Sequence, residues 1–168
     1  NKILEFILSA KVVLVEGDAE YMLVDGMYEK LYGEKLEDTN IHVISVGGTA
    51  FKRYLDLASL LKIKTAVIRD NDGNYQSNCV DNYADYIGDA VQVFSDTDEA
   101  NRTTLEKCIY QDNTELCEEL FAEGRRTLTV EDYMLSNKAD AALAILEGGM
   151  DRLESPDYIK QAFEWIRG

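Results

Sequence analysis

Four short apolar runs, spread along the first two thirds of the chain, constrain its fold more than any other feature. Val12-Val13-Leu14-Val15, Ile41-His42-Val43-Ile44-Ser45-Val46, Thr65-Ala66-Val67-Ile68 and Ala90-Val91-Gln92-Val93-Phe94 are each of strand length. The first is continuously apolar, as befits a parallel strand covered on both faces. Amphipathic stretches lie between the runs. Tyr21, Met22, Val24, Met27, Tyr28 and Leu31 recur at helical spacing up to Gly33, and Phe51, Tyr54, Leu55, Leu57, Ala58 and Leu61 do the same before the third run. A short helix is expected around Cys79 to Ile87, and from about Thr103 onward the pattern is helical. Strand–helix alternation with short turns implies parallel strands joined by right-handed crossovers. The expected fold class is therefore α/β, a mostly parallel four-stranded sheet flanked by helices, with residues 1–102 as its core and 103–168 as a helical C-terminal part. Pro156 reads as the first residue of a last helix, with Ser155 as its N-cap.

At 168 residues the chain suits one domain with a real core. Hydrophobic residues are 46%, with ten Tyr and five Phe, which excludes a disordered acidic tail. The 17 Lys and Arg face 32 Asp and Glu, a formal charge of −15. That balance argues against binding nucleic acid through surface charge alone, and leaves room for carboxylates gathered around cations. No apolar run approaches membrane-helix length and no secretory signal is present. Cys79, Cys108 and Cys117 have no C-x-x-C spacing, and His42 is the only histidine, so zinc patterns are missing. A reduced, cytoplasmic protein is the expectation.

In open parallel sheets, ligands bind beyond the carboxyl ends of the strands. Glu16 follows the first run, Gly47-Gly48 the second, and Arg69-Asp70-Asn71-Asp72-Gly73 the third. Asp70 and Asp72, two apart, would point the same way in extended backbone. Carboxylates without His or Cys suit Mg²⁺ or Mn²⁺. Asp-x-Asp-Gly is also an ordinary turn sequence, and Glu20 could either face the site or complement its helix dipole. His42, beside apolar neighbours, reads as packed or at a sheet edge, and the Tyr and Met of residues 21–31 read as core.

Val15-Glu16-Gly17-Asp18-Ala19-Glu20, Val46-Gly47-Gly48 and Asp70-Asn71-Asp72 together resemble the Toprim domain. The fuller resemblance is to the overcoming-lysogenization-defect (OLD) nucleases, the group that includes the nuclease subunit of the Gabija anti-phage system. It extends to Thr104-Leu105-Glu106 and to Lys138 before Ala139-Asp140-Ala141-Ala142-Leu143, spanning roughly residues 10 to 147. The resemblance implies a Toprim-like Rossmannoid fold and a metal-dependent endonuclease holding two Mg²⁺ or Mn²⁺ ions. It implies Glu16, Glu20, Asp70, Asp72 and Glu106 as ligands, with Glu16 and Lys138 catalytic. The family's ATPase domain precedes its Toprim domain, yet no G-x-x-x-x-G-K-[ST] occurs here. With Asn1 as the first residue, an excised C-terminal domain is expected. Implied partners are DNA, that ATPase domain, a helicase-like protein if the chain is Gabija-type, and other copies of the chain.

The later motifs have structural alternatives. Thr103-Thr104-Leu105-Glu106 is a capping-box sequence, with Thr103 the cap and Glu106 reaching back to it. Glu131 and Asp132 are rival late acids. Lys138 opens a helix after Ser136-Asn137, where the dipole disfavours a cation. On this reading Asp70, Asp72 and Glu20 hold one metal, Glu16 and Glu106 bear on a second, and Lys138 stabilises charge on the reacting phosphate. Lys52, Arg53 and Arg102 are candidate nucleic-acid contacts, with Lys62, Lys64 and Arg125-Arg126 behind them. Two rivals remain: a receiver-like regulatory domain, which needs a Lys after a fifth strand, and an inactive Toprim-fold interaction module.

Overall fold

A computed structural model describes residues 1–168. Its centre is a four-stranded, all-parallel sheet of order β2-β1-β3-β4, where β1 is Lys11–Val15, β2 Ile41–Ser45, β3 Lys64–Ile68 and β4 Val91–Phe94. Helix α1 (Lys2–Ile7), outside the sequence expectations, precedes β1. Helix α2 (Asp18–Tyr32) crosses from β1 to β2, and α3 (Lys52–Leu61) from β2 to β3. From residue 105 every element is helical: α4 (Leu105–Asp112), α5 (Thr114–Leu120), α6 (Val130–Ser136), α7 (Lys138–Gly148) and α8 (Asp157–Arg167).

Strand alternation divides the core in two. Val13, Val15, Ala66 and Ile68 face a larger cluster built with α2 and the C-terminal helices. Val12, Leu14 and Val67 face a smaller one with Phe6, Phe51, Tyr54, Leu55 and Tyr83. Both faces of β1 and β3 are dry, which is why their sequences run apolar without alternating. Because β2 lies on one side of β1 and β3 on the other, strand order reverses between β1 and β3. A crevice opens at such a switch point, beyond the carboxyl ends of the two strands.

Several local expectations are corrected. Residues 79–87 form no α-helix. A π-turn (Gln76–Val80) and a 3-10 turn (Asp81–Tyr83) replace it and bury Cys79 and Tyr83. Pro156 stands just before α8 rather than inside it, and no side chain caps that helix. Of the Tyr and Met read as core in α2, Met27 and Tyr28 are buried and Met22 partly so, whereas Tyr21 is exposed. Helix α2 does end at Gly33, whose φ of +71° suits a left-handed cap. His42 lies on β2, an edge strand, and all three cysteines are free and buried.

Candidate functional site

The two glycines after β2 fix the first acid. Gly47 and Gly48 have φ of +75° and +96°, which side chains disfavour. That path lets both their N–H groups donate to the Glu16 carbonyl oxygen, at 3.0 and 2.8 Å. The end of β1 is thereby clamped against the turn. The β1–β3 register pairs Leu14 with Val67, so its continuation brings Glu16 opposite Arg69, one residue short of Asp70. Strand parity then sorts the side chains. Glu16 and Arg69 continue the rows facing the smaller cluster, and Asp70 continues the row of Ala66 and Ile68.

Arg69 is 6% exposed. Its Nη1 donates to Tyr83 Oη at 2.8 Å, while Nε lies 3.9 Å from Glu16 Oε1 and Nη2 3.8 Å from Asp72 Oδ2. Asp72 does not continue the strand. Its φ of +50° turns the chain, so it parts from Asp70 instead of pointing the same way, and its side chain stays half exposed. Asn71, buried between the two, donates to the carbonyls of Asp96, Asp98 and Arg102 and accepts from Gly73. It ties the turn to the loop before α4.

On the other side of the crevice, Asp70 Oδ1 accepts from the Leu105 amide at the start of α4, at 2.8 Å. Thr104, not Thr103, caps α4 through the Lys107 amide. Glu106 is therefore one position too early to close a capping box, and its buried Oε1 has no hydrogen-bond donor. Lys138 opens α7 as expected and brings Nζ within 3.1 Å of Glu106 Oε2 as an ion pair. Glu20, buried in the first turn of α2, rests against its N-cap, where a Cβ on Gly17 would lie 3.1 Å from Glu20 Oε2.

Electrostatics join the two sides. Burial pushes Glu16 up to about 7, with Arg69 opposing and Asp72 and Glu20 adding to the rise. Asp70 stands well above the usual carboxylate range, first through burial and then through the charges of Glu16, Glu106 and Glu20. Burial also raises Glu20, helped by Glu106 and opposed by its own amide, Lys138 and the Gly17 amide. Burial works against charge on Lys138, but Glu106, Asp70 and Glu20 outweigh it and hold the ammonium above its ordinary value. Glu16 thus links two groups, Asp72 with Arg69 and Asp70–Glu20–Glu106 with Lys138. This division differs from the assignment of Asp70, Asp72 and Glu20 to a single ion.

All-oxygen donors and the orphaned oxygens of Glu16 and Glu106 fit a hard divalent cation. The side chains are not drawn into a ligand shell, since no three Asp, Glu, His or Cys groups stand close enough to hold a metal ion. Un-neutralised acids repel one another; Lys138 pairs with Glu106 at 3.1 Å, while Arg69 lies 3.8–3.9 Å from Glu16 and Asp72. Arg69 and Tyr83 are the residues that sequence reasoning passed over. Their signal was strand parity, which places an arginine on the same row as Glu16.

Among the expected nucleic-acid contacts, Lys52 and Arg53 are exposed at the start of α3, just after the glycine turn. Arg102 is engaged elsewhere, bonded to Asp96 at 2.7 Å and to both oxygens of Asp112 at 2.7 and 2.8 Å. Lys64 lies over the Trp165 ring. Glu131 and Asp132 belong to the first turn of α6, where Asp132 is bonded to its cap, Thr129.

Residues 7–72 match the family described as "Overcoming lysogenization defect protein-like, TOPRIM domain". Over these residues the chain is similar to an OLD-like Toprim domain. The segment matched contains Glu16, Glu20, the glycine pair and both aspartates of the Asp-x-Asp turn. The fold as a whole is similar to the C-terminal region of the Burkholderia pseudomallei OLD protein, with 21% identity, a TM-score of 0.69, and coverage of 95% of this chain and 98% of that one. Two structures of the C-terminal region of the Xanthomonas campestris pv. campestris OLD protein are also similar. One, phased with iodine, gives 23% identity, a TM-score of 0.66 and 95% coverage of both chains. The other, phased with platinum, gives 24%, 0.64, and 99% and 95% coverage. No curated protein matches the sequence. That similarity is consistent with a nuclease-type enzyme. No helix is long and apolar enough to cross a membrane.

Proposed function

We propose that the chain is the metal-dependent endonuclease domain of an OLD-type protein, nicking or cleaving DNA phosphodiesters in phage defence or DNA processing in the cytoplasm. The observation that carries this reading is a pair of buried carboxylate oxygens without a donor, Glu16 Oε1 and Glu106 Oε1, coupled to Asp70 at the strand-order switch point. Buried carboxylates without donors are costly, and they are retained here at the place where an α/β sheet binds its ligand. Mg²⁺ or Mn²⁺, two ions in this reading, would be held by Glu16 and Asp72 on one side and Asp70, Glu20 and Glu106 on the other, supplying Lewis acidity toward phosphate and acidification of water.

The chain's own residues have distinct tasks. The glycine turn positions Glu16 through its carbonyl. Asp70 is oriented by the Leu105 amide, so the start of α4 and the end of β3 move as one. Lys138, partly exposed and held by Glu106, places its ammonium at the crevice, where charge developing on a phosphate would be stabilised. Lys52 and Arg53 border the glycine turn and would steer the DNA backbone. The net charge of −15 makes the domain a poor DNA binder by itself, so affinity is assigned to cations and to further segments, the ATPase domain first and a helicase-like partner in a Gabija-type system. The receiver-like alternative needs a fifth strand, and the sheet has four.

The test is conversion of supercoiled plasmid to open circle. The domain should nick with Mg²⁺ or Mn²⁺ and not with EDTA, and Asp70→Asn should reduce nicking at least a hundredfold. Nicking that survives EDTA, or that Asp70→Asn leaves intact, would contradict the assignment.

A further inference from the structure

We propose that Arg69 is a phosphate-binding residue of this site, presenting its Nε–Nη2 edge to a phosphate of the substrate. The idea rests on the nuclease reading only in taking that phosphate to be part of a nucleic acid. Its own basis is the geometry of the guanidinium.

Arg102 provides an internal standard for how this protein builds a structural arginine. It is saturated by carboxylates, with three hydrogen bonds of 2.7–2.8 Å to Asp96 and Asp112. Those are the distances expected of charge-assisted bonds. Arg69 is more deeply buried, yet only Nη1 is engaged, donating to Tyr83 Oη. Nε is buried with no acceptor at all. Nε lies 3.9 Å from Glu16 and Nη2 3.8 Å from Asp72, the separations of ion pairs without hydrogen bonds. A guanidinium whose purpose was to close the gap between two acids would bond to them.

The unengaged atoms are informative. Nε and Nη2 form one edge of the guanidinium fork, which matches two oxygens of a phosphate in the bidentate arrangement. That edge faces Glu16 and Asp72. The opposite side is fixed: Tyr83 holds Nη1 and lies beneath the guanidinium at 5.7 Å, and Tyr83 packs edge-on against Phe51, with ring centroids 6.2 Å apart. Tyr83 and Phe51 are almost wholly buried. The aim of the fork is therefore set by packing, which lowers the entropy lost on capturing an anion. With Glu16 and Asp72 neutralised by cations, the fork is left with a positive charge and two free donors.

The experiment measures inorganic phosphate binding by calorimetry in saturating Mg²⁺, for wild type, Arg69→Lys, Arg69→Met and Tyr83→Phe. Mn²⁺ titration and melting are run on each protein, and plasmid cleavage is run in parallel. Arg69→Lys keeps the charge but not the fork. It should weaken phosphate at least tenfold and raise KM for DNA more than it lowers kcat, with Mn²⁺ affinity within threefold of wild type. Tyr83→Phe should weaken phosphate a few-fold by freeing the fork. If Arg69→Lys restores both melting and phosphate affinity lost in Arg69→Met, Arg69 is a counter-charge and the proposal falls. It falls equally if wild type binds no phosphate. Arg69-dependent phosphate binding in a domain that never cleaves would sink the nuclease reading and leave this one standing.

Discussion

Replacing Glu16 with Gln should stabilise the metal-free domain above neutrality and leave it unchanged in acid. Glu16 titrates near 7 in the folded chain against about 4.5 when unfolded. Below the unfolded value the carboxyl is protonated in both states and contributes no difference. Between about 4.5 and 7 the unfolded chain gives up the proton while the folded chain keeps it, so stability falls as pH rises, and it levels off above 7. A gap of that size corresponds to about 3 kcal/mol at 1.36 kcal/mol per unit, reduced toward ~2 kcal/mol because the crevice admits solvent. For a chain of this length each kcal/mol moves Tm by about 2–4 °C, so Glu16→Gln should melt roughly 4–10 °C higher at pH 8. The assay is urea or thermal unfolding in EDTA at pH 4.5, 6 and 8, wild type against Glu16→Gln. Mg²⁺ should then stabilise wild type more than the variant and shrink the gap. Equal differences at pH 4.5 and 8, or a variant less stable at pH 8, would refute the claim that burial raises the Glu16 carboxyl.

Gly48→Ala meets no atom within 4 Å of the new Cβ, so only its φ of +96° is strained. It should cost about 1–3 kcal/mol of stability in denaturant unfolding and lower nicking by releasing the Glu16 carbonyl. Arg102→Ala removes the ties to Asp96 and Asp112. It should destabilise the fold by about 2–4 kcal/mol and expose residues 95–103 to limited proteolysis, whereas a DNA-contacting role would leave melting unchanged. The double variant Lys52→Ala, Arg53→Ala should melt within about 0.5 kcal/mol of wild type and flatten the dependence of log DNA affinity on log salt by about 1–2 units in binding assays.

The sheet was legible because β1 and β3 carry apolar residues on both faces, and turns such as Gly33 and Gly47-Gly48 sit where the backbone needs positive φ. Helix α1 is short and apolar on more than one face: Ile3 and Phe6 pack inward, whereas Leu4 and Ile7 are exposed, so no clear amphipathic stripe marks it in the sequence. The acids of the site were legible as residue types at strand ends, but their pairing was not. The extended-backbone argument for Asp70 and Asp72 failed at one dihedral, the positive φ of Asp72, which depends on Asn71 gathering three carbonyls from a loop more than twenty residues away. The cap of α4 shifted from Thr103 to Thr104 because Asp70 takes the Leu105 amide, a tertiary bond that local sequence rules do not contain. Arg69 was hidden by its neighbours: between a strand and two aspartates it reads as part of a turn, and only the β1–β3 register sets it opposite Glu16.

The most direct measurement is the anomalous scattering of Mn²⁺ soaked into crystals of the domain. The account predicts density at two positions, one at Glu16 and Asp72 and one at Asp70, Glu20 and Glu106, with loss of the second in Asp70→Asn. Well-diffracting crystals saturated with Mn²⁺ that show no peak at these acids would contradict it.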